Sequence, residues 1–245
     1  MFKGSEYLYY FMYIVGFAIS LIINLKDCGR YRLDKKKAVI YTVCMFLCGI
    51  AGAMLMGKIY TAFCRAHGFN GVSAVAIFGA VVFAPIFMLV FFILEKSDYK
   101  KNLDMLTPCI YITLTCAKFG CFLDGCCFGI PSDFGFYNPY ARTTVFPVQL
   151  FEVASMIIML ILTQLYLKKS RKAPDGFAYP LTTAVYCAMR FGWEFLRYYE
   201  TDEMRHAVLG LTFWQSWCAV IFVLSAIAMV MLKIKQQRNT QEKST

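Results

Sequence analysis

Residues 117–129 read A-K-F-G-C-F-L-D-G-C-C-F-G and close an apolar stretch. Lys118, Asp124, Cys121, Cys126 and Cys127 crowd there against small residues. Further on, Gln149 and Glu152 are spaced i, i+3. Arg190, Glu194 and Arg197 are spaced i, i+4, i+7, so on a continuous helix they share one face. Gln215 follows in a last apolar block. Cations interleaved with carboxylates suit an anionic ligand, because the arginine fork binds two phosphate oxygens at once. The plainer alternative is a buried ion-pair network that only ties helices together. Burying that many polar groups is expensive and needs a reason.

The three cysteines leave several readings open. They can pack as small residues, form a disulfide in an oxidising compartment, or bind a metal. They can also act as a nucleophile, which needs an activating base or cation nearby; Lys118 is such a cation. A zinc site favours C-x-x-C with further ligands at matching spacing. C-x4-C-C matches poorly, and His67 and His206 are distant in sequence. No metal and no cofactor is therefore expected.

The elements that must position these groups are membrane helices. The chain has 245 residues, 59% hydrophobic and only 16% charged, against about 25% charged in a soluble domain. Its apolar residues fall into blocks near the roughly 20 residues that cross a bilayer. Seven spans are expected: Tyr7–Leu25, Ala38–Tyr60, Val72–Leu94, Leu106–Leu123, Val148–Leu167, Phe177–Tyr198 and Leu211–Lys233. The blocks are too long and continuous for barrel strands. The fold class is thus an all-α integral membrane protein, a single seven-helix domain over residues 1–237. Residues 238–245 read as a disordered cytoplasmic tail. The first block lacks a basic leader and an A-x-A-like cleavage site, and is expected to be a retained span.

The net charge of +10 is a topology signal. Loops 26–37, 95–105 and 168–176 and the tail from Lys233 carry six, three, four and four Lys/Arg. The other side carries six in all. The positive-inside rule then places the N-terminus outside and the C-terminus in the cytoplasm. The basic side faces anionic lipid headgroups, not nucleic acid. Residues 124–147 form a turn-rich outer loop with interleaved aromatics, suited to the membrane interface. No inverted repeat of a transporter kind is present. With this topology Lys118, Asp124, Gln149, Glu152, Arg190, Glu194, Arg197 and Gln215 all fall at one outer depth.

These same positions carry a resemblance. D-M-L-T-P at 104–108, the 117–129 segment, F-P-V-Q-L-F-E at 146–152, R-F-G-W-E-F-L-R at 190–197 and G-L-T-F-W-Q at 210–215 resemble the bacterial prolipoprotein diacylglyceryl transferases in order and approximate spacing. The likeness spans about residues 104–220 and is greatest to a shorter branch bearing G-C-F-x-x-G-C-C. It implies transfer of a diacylglyceryl group from phosphatidylglycerol to the lipobox cysteine of a preprolipoprotein, in the bacterial plasma membrane. Glycerol-1-phosphate leaves and a thioether forms. In that reading, shared depth and helix face lead us to expect that Lys118, Arg190 and Arg197, with Arg142, hold the phosphate and headgroup. Glu152 and Glu194 orient these cations. Gln149 and Gln215 bind the glycerol portion, Asp124, Cys121 and Cys126 line the substrate site, and the 124–147 loop admits the peptide.

Three positions depart from the family pattern. Lys118 stands where the family's G-R-x-G has arginine, keeping the charge without the fork. The family's third-span histidine falls at Phe78, which cannot carry a proton. Val145 or Phe146 replaces an arginine before P-x-Q-L, with Arg142 close by. His67 and His206, in expected outer loops, are the imidazoles left to act as base. Two rival readings follow: a lipid-binding relative without catalysis, and a membrane transferase using Cys126 or Cys127 as nucleophile.

Overall fold

The structure, a computed structural model, describes residues 6–31, 33–69, 76–169 and 174–242. Eight helices and one hairpin are present among them: α1 Glu6–Asp27, α2 Lys35–Ala66, α3 Phe78–Glu95, α4 Tyr99–Asp124, β1 Pro131–Asn138, β2 Thr143–Val145, α5 Val148–Lys169, α6 Ala178–Glu194, the short α7 Asp202–Arg205, and α8 Phe213–Glu242. Six of the helices, α1 to α5 and α8, are long and apolar enough to cross a membrane. α6 stands where a sixth span was expected, but its 17 residues include buried Arg190 and Glu194. At 1.5 Å per residue it is about 25 Å long.

α4 is the central helix. It packs most against α1 and then α5, and also meets α2, α3 and α6. Asp98 starts it by accepting the amides of Lys100 and Lys101, the usual way an aspartate satisfies a helix's first free donors. At the other end Gly125 takes a left-handed turn (φ 84) and its amide closes onto the Cys121 and Phe122 carbonyls. Cys126 N–H also reaches the Cys121 carbonyl at 3.1 Å. This Schellman-like ending folds the C-C dipeptide back over the last turn of the helix.

α2 and α3 cross at backbone contact. A β-carbon added at Gly79 would lie 2.1 Å from the Gly52 carbonyl oxygen, so only glycine allows this approach. The shared core holds Tyr41, Met56, Val81, Met88, Phe92 and Leu106. Tyr111, fully buried, shares a 2.7 Å hydrogen bond with Thr183 of α6. Outward, Ile14, Leu47, Ile93, Ile158, Val223 and Val230 are exposed. An apolar belt of this kind suits hydrocarbon, not water.

Four sequence expectations shift. The third helix begins at Phe78, not Val72; Ala76 N–H is docked on the Ala53 carbonyl, and residues 70–75 lie outside the described set. α6 ends at Glu194, so Arg197 is not on its helical face. The next three amides make i to i+3 bonds as the helix tightens and stops, because Ile130 N–H claims the Leu196 carbonyl and Tyr198 N–H claims that of Phe128. The 124–147 loop contains a β-hairpin with an irregular register. The stretch expected to be a disordered tail is helical through Glu242, since α8 continues its hydrogen-bond ladder past the apolar block.

Candidate active site at the ends of α4, α5 and α6

Glu152 is the focus of the site. It lies in the second turn of α5, 3% exposed. Its Oε1 accepts hydrogen bonds from Arg190 Nη1 at 2.8 Å and Arg197 Nη2 at 2.7 Å. Lys118 Nζ is 3.1 Å from Oε2. Glu194, one turn after Arg190, pairs with Arg190 Nη1 and with Arg197 Nε at 3.4 Å. Tyr199 O–H donates to its other oxygen. Three cations from two helices and a loop thus meet two carboxylates, all nine-tenths or more buried. One positive charge is left over within the ion-pair cluster.

Arg197 reaches this cluster by a route other than helix periodicity. Residues 128–130 run between 146 and 196–198 like a short third strand, with Gly129 bridged to Arg197. A β-carbon at Gly129 would sit 2.5 Å from the Phe146 carbonyl and 2.8 Å from that of Leu196. Glycine is therefore required for the three segments to close. The closure presents Arg197 to Glu152 and lets its Nη1 donate to the Cys127 carbonyl at 3.3 Å.

Beside the cluster a narrow cleft is lined by Lys118, Glu152, Met156, Tyr186, Arg190 and Trp193 among others. Trp193 is held by its indole N–H on Ser155 at 2.9 Å, which ties α6 to α5. A larger gap between α1, α2, α3 and α4 has mostly apolar walls and lies away from the charges. Chemistry that needs charge belongs to the smaller cleft. Gln149 is fully buried; its Nε2 donates to the Cys126 carbonyl at 2.7 Å, and its Oε1 has no partner among the described residues.

The structure separates the expected site residues. Lys118, Gln149, Glu152, Arg190, Glu194 and Arg197 come together. Asp124 ends α4 with one oxygen buried and, among the described residues, unpartnered, outside the ion pairs. Arg142 is exposed on the hairpin turn with a left-handed backbone (φ 55) and is not in the cluster. Gln215 is committed to the start of α8: its Oε1 accepts Thr212 N–H and its own N–H donates to Thr212 Oγ1, both at 3.0 Å. This is a reciprocal capping box, and it accounts for the side chain without a ligand. His67 and His206 are exposed, each ring nitrogen set on a nearby backbone carbonyl. Phe78 is buried and stacks on Tyr186 at 6.1 Å, so it borders the cleft only through that ring. The sequence reading missed Tyr199 and Tyr186. No spacing marks them, because one sits on a loop and the other looks like an ordinary core aromatic.

The Sγ atoms of Cys121, Cys126 and Cys127 lie within 4.8 Å of one another, and all three thiols are free. Cys127 is exposed and left-handed (φ 57), a conformation that costs a residue with a β-carbon about 1–2 kcal/mol. Hydrogen bonding from the Cys121 and Cys126 thiols, with Arg197 and Lys118 adding positive field, holds the Cys127 thiol well below its ordinary range. The same sharing pushes Cys126 up.

Fold and site together define a multi-pass membrane protein with a buried, cation-rich cluster at one end of its helices. The family model for prolipoprotein diacylglyceryl transferase matches residues 5–232, and the chain belongs to that family. Curated relatives bear the name phosphatidylglycerol--prolipoprotein diacylglyceryl transferase. The one from Chlorobaculum tepidum is 26% identical, over 93% of this chain and 85% of its own length. That from Dehalococcoides mccartyi is 26% identical over 71% of this chain and 66% of its own length. That from Clostridium tetani is 31% identical over 49% of this chain and 51% of its own. The chain thus spans about two thirds of the Dehalococcoides relative that it matches.

Proposed function

We propose that this protein transfers the diacylglyceryl group of phosphatidylglycerol to the lipobox cysteine thiol of a preprolipoprotein, at the outer face of the bacterial plasma membrane. One observation carries the reading. Three buried cations surround two carboxylates, so the cluster holds a surplus positive charge at a helix end. A buried surplus cation is costly unless an anion completes it, and the anion available at that depth is a lipid phosphate.

In this reading Arg190 and Lys118 hold the phosphate. Arg190 meets both carboxylates through a single nitrogen, Nη1, and the rest of its fork serves the ligand. As the glyceryl C–O bond breaks, charge grows on the leaving glycerol phosphate. Fixed cations in a water-poor site stabilise that charge more than they stabilise the intact lipid. Gln149 Oε1 accepts from the glycerol headgroup. Glu152 and Glu194 keep the cations aligned between turnovers. The aromatic hairpin around Phe134, Phe136 and Tyr137, all exposed, rests at the interface and guides the peptide. The loop charge bias supports an N-terminus outside, with α6 crossing as the sixth of seven spans.

The test is direct. Purified protein in detergent is incubated with phosphatidylglycerol and a synthetic lipobox peptide, and the peptide is weighed by mass spectrometry. A gain of one diacylglyceryl mass, sharply slowed by Arg190→Ala, is the expected result. An unmodified peptide with phosphatidylglycerol still bound to the protein would favour the second reading, a lipid-binding relative without transfer. One observation supports that rival: both cluster carboxylates are tied to cations, and the two histidines are exposed away from the cluster. Neither pair is poised to take a proton from a thiol.

A further inference from the structure

We propose that Cys121, Cys126 and Cys127 form a three-thiolate site for a soft divalent cation, zinc by preference, whose fourth position takes the incoming substrate thiol. The site itself stands on the cysteine geometry. Its role in activating a thiol rests on the transferase reading above.

Geometry carries the first part. A zinc–sulfur bond is about 2.3 Å, so two sulfurs on one tetrahedral zinc are about 3.8 Å apart. The three sulfurs already lie within 4.8 Å of one another, and shifts of about 1 Å or less bring them to that separation. The C-x4-C-C spacing hides this arrangement, because it depends on the left-handed turns at Gly125 (φ 84) and Cys127 (φ 57). Those turns fold the dipeptide back onto Cys121 in the last turn of α4. The bend is fastened twice more, by Gln149 on the Cys126 carbonyl and Arg197 on the Cys127 carbonyl. A conformation left-handed at a cysteine and held by two buried side chains is an arrangement of the kind found at functional sites.

The competing uses of the thiols fit less well. Neighbouring cysteines have Cα atoms only about 3.8 Å apart, short of the usual 4.4–6.8 Å of a disulfide. Pairing Cys121 with either of the others leaves an odd thiol in place. Three thiolates on a divalent cation carry one net negative charge. Arg197, whose Nη1 donates to the Cys127 carbonyl at 3.3 Å, stands beside that charge. Three protein ligands and one open position are also the pattern of catalytic rather than structural zinc sites.

Chemistry carries the second part. A thioether forms when a thiolate attacks the glyceryl carbon, and the cluster carboxylates are not free to make that thiolate. A thiol that coordinates a metal loses its proton outright. In the proposed step the substrate S–H binds at the fourth position and its proton passes to solvent. The sulfur's electron pair then forms the S–C bond as the C–O bond to phosphate breaks, and that bond's pair leaves on the phosphate oxygen. No electron is gained or lost overall, and the neutral thioether, a weaker ligand than a thiolate, departs.

The experiment uses the full chain with a tag free of histidine, purified in detergent without chelator. Metal content is measured by mass spectrometry, and cobalt(II) is added to the metal-depleted wild type to seek thiolate-to-metal charge-transfer absorption. One zinc per chain and a cobalt–thiolate band are expected. Each Cys→Ser variant should weaken binding by at least the roughly 10–100-fold that outer-shell changes alone produce. A wild type that purifies without metal and gives no cobalt band overturns the site, as does an intact mass two hydrogens low from a disulfide. Because both measurements use the wild type, a variant that fails to fold does not blur the answer. Transfer lost on zinc removal and restored by zinc supports thiol activation. Transfer unchanged without zinc overturns that role and leaves the site. Zinc bound with no transfer under any condition sinks the transferase reading and keeps the metal.

Discussion

Two carboxylates toward opposite ends of the helical bundle show how differently this protein uses the same group. Asp104, in the second turn of α4, gives both oxygens to backbone amides at the start of α6, Gly176 at 2.7 Å and Ala178 at 2.9 Å. Glu152 gives both of its oxygens to side-chain cations. Lys118, which meets Glu152, stands about 21 Å along α4 from Asp104. A carboxylate bound by peptide N–H groups is finished: nothing can replace it without undoing the helix start. A carboxylate bound by a lysine and two arginines can share them with another anion. The first arrangement holds the fold, and the second can exchange ligands.

The strongest way to break this contrast is at Arg190. Arg190→Ala is expected to lower the transfer rate by about 10²–10³-fold, the scale of losing one charged donor at a developing oxyanion. Arg190→Lys should recover only part, since the fork is lost. Mass spectrometry of the lipobox peptide reads both. Next, Glu152→Ala should destabilise the protein by about 3–5 kcal/mol, because three buried cations lose their central partner. Added phosphatidylglycerol should restore part of that loss in thermal melts. Asp104→Ala should cost about 1–3 kcal/mol for each orphaned amide, with no recovery on adding lipid. Equal rescue of both variants, or of neither, would erase the distinction between them.

Smaller effects sharpen it. Gln215→Ala should cost about 1 kcal/mol, as for a lost helix cap, and leave phosphatidylglycerol affinity unchanged in a lipid-retention assay. A drop in affinity would return Gln215 to the ligand site. Arg142→Gly should leave transfer unchanged and stability equal or higher by up to about 1 kcal/mol. Glycine relieves the left-handed strain there, and the exposed charge has no cluster partner to lose.

The polar cluster was legible because ionisable groups are rare in apolar helices and their spacing is regular. Lys118, Glu152, Arg190 and Glu194 could be placed on facing helices by periodicity alone. Arg197 was found for a reason that does not hold: its i+7 spacing from Arg190 is not helical here, and a glycine-dependent strand closure delivers it instead. The capping role of Gln215 was hidden in the sequence, because T-x-x-Q at 212–215 can be a capping box and a polar residue one turn into a helix looks alike in either role.

By itself the sequence determined that the chain is a bundle of apolar helices, roughly where each lies along the chain, and which residues could meet an anion. Those features follow from composition and local periodicity, which need no distant partner. The tertiary structure decided the rest. It closed the 128–130 segment against 146 and 196–198, turned the C-C dipeptide back onto Cys121, and left Arg142 outside. Each of these depends on a backbone turn or a close approach at one residue, such as Gly125, Cys127 or Gly129. Which left-handed turns a chain adopts, and what they bring together, is settled by packing between segments far apart in sequence.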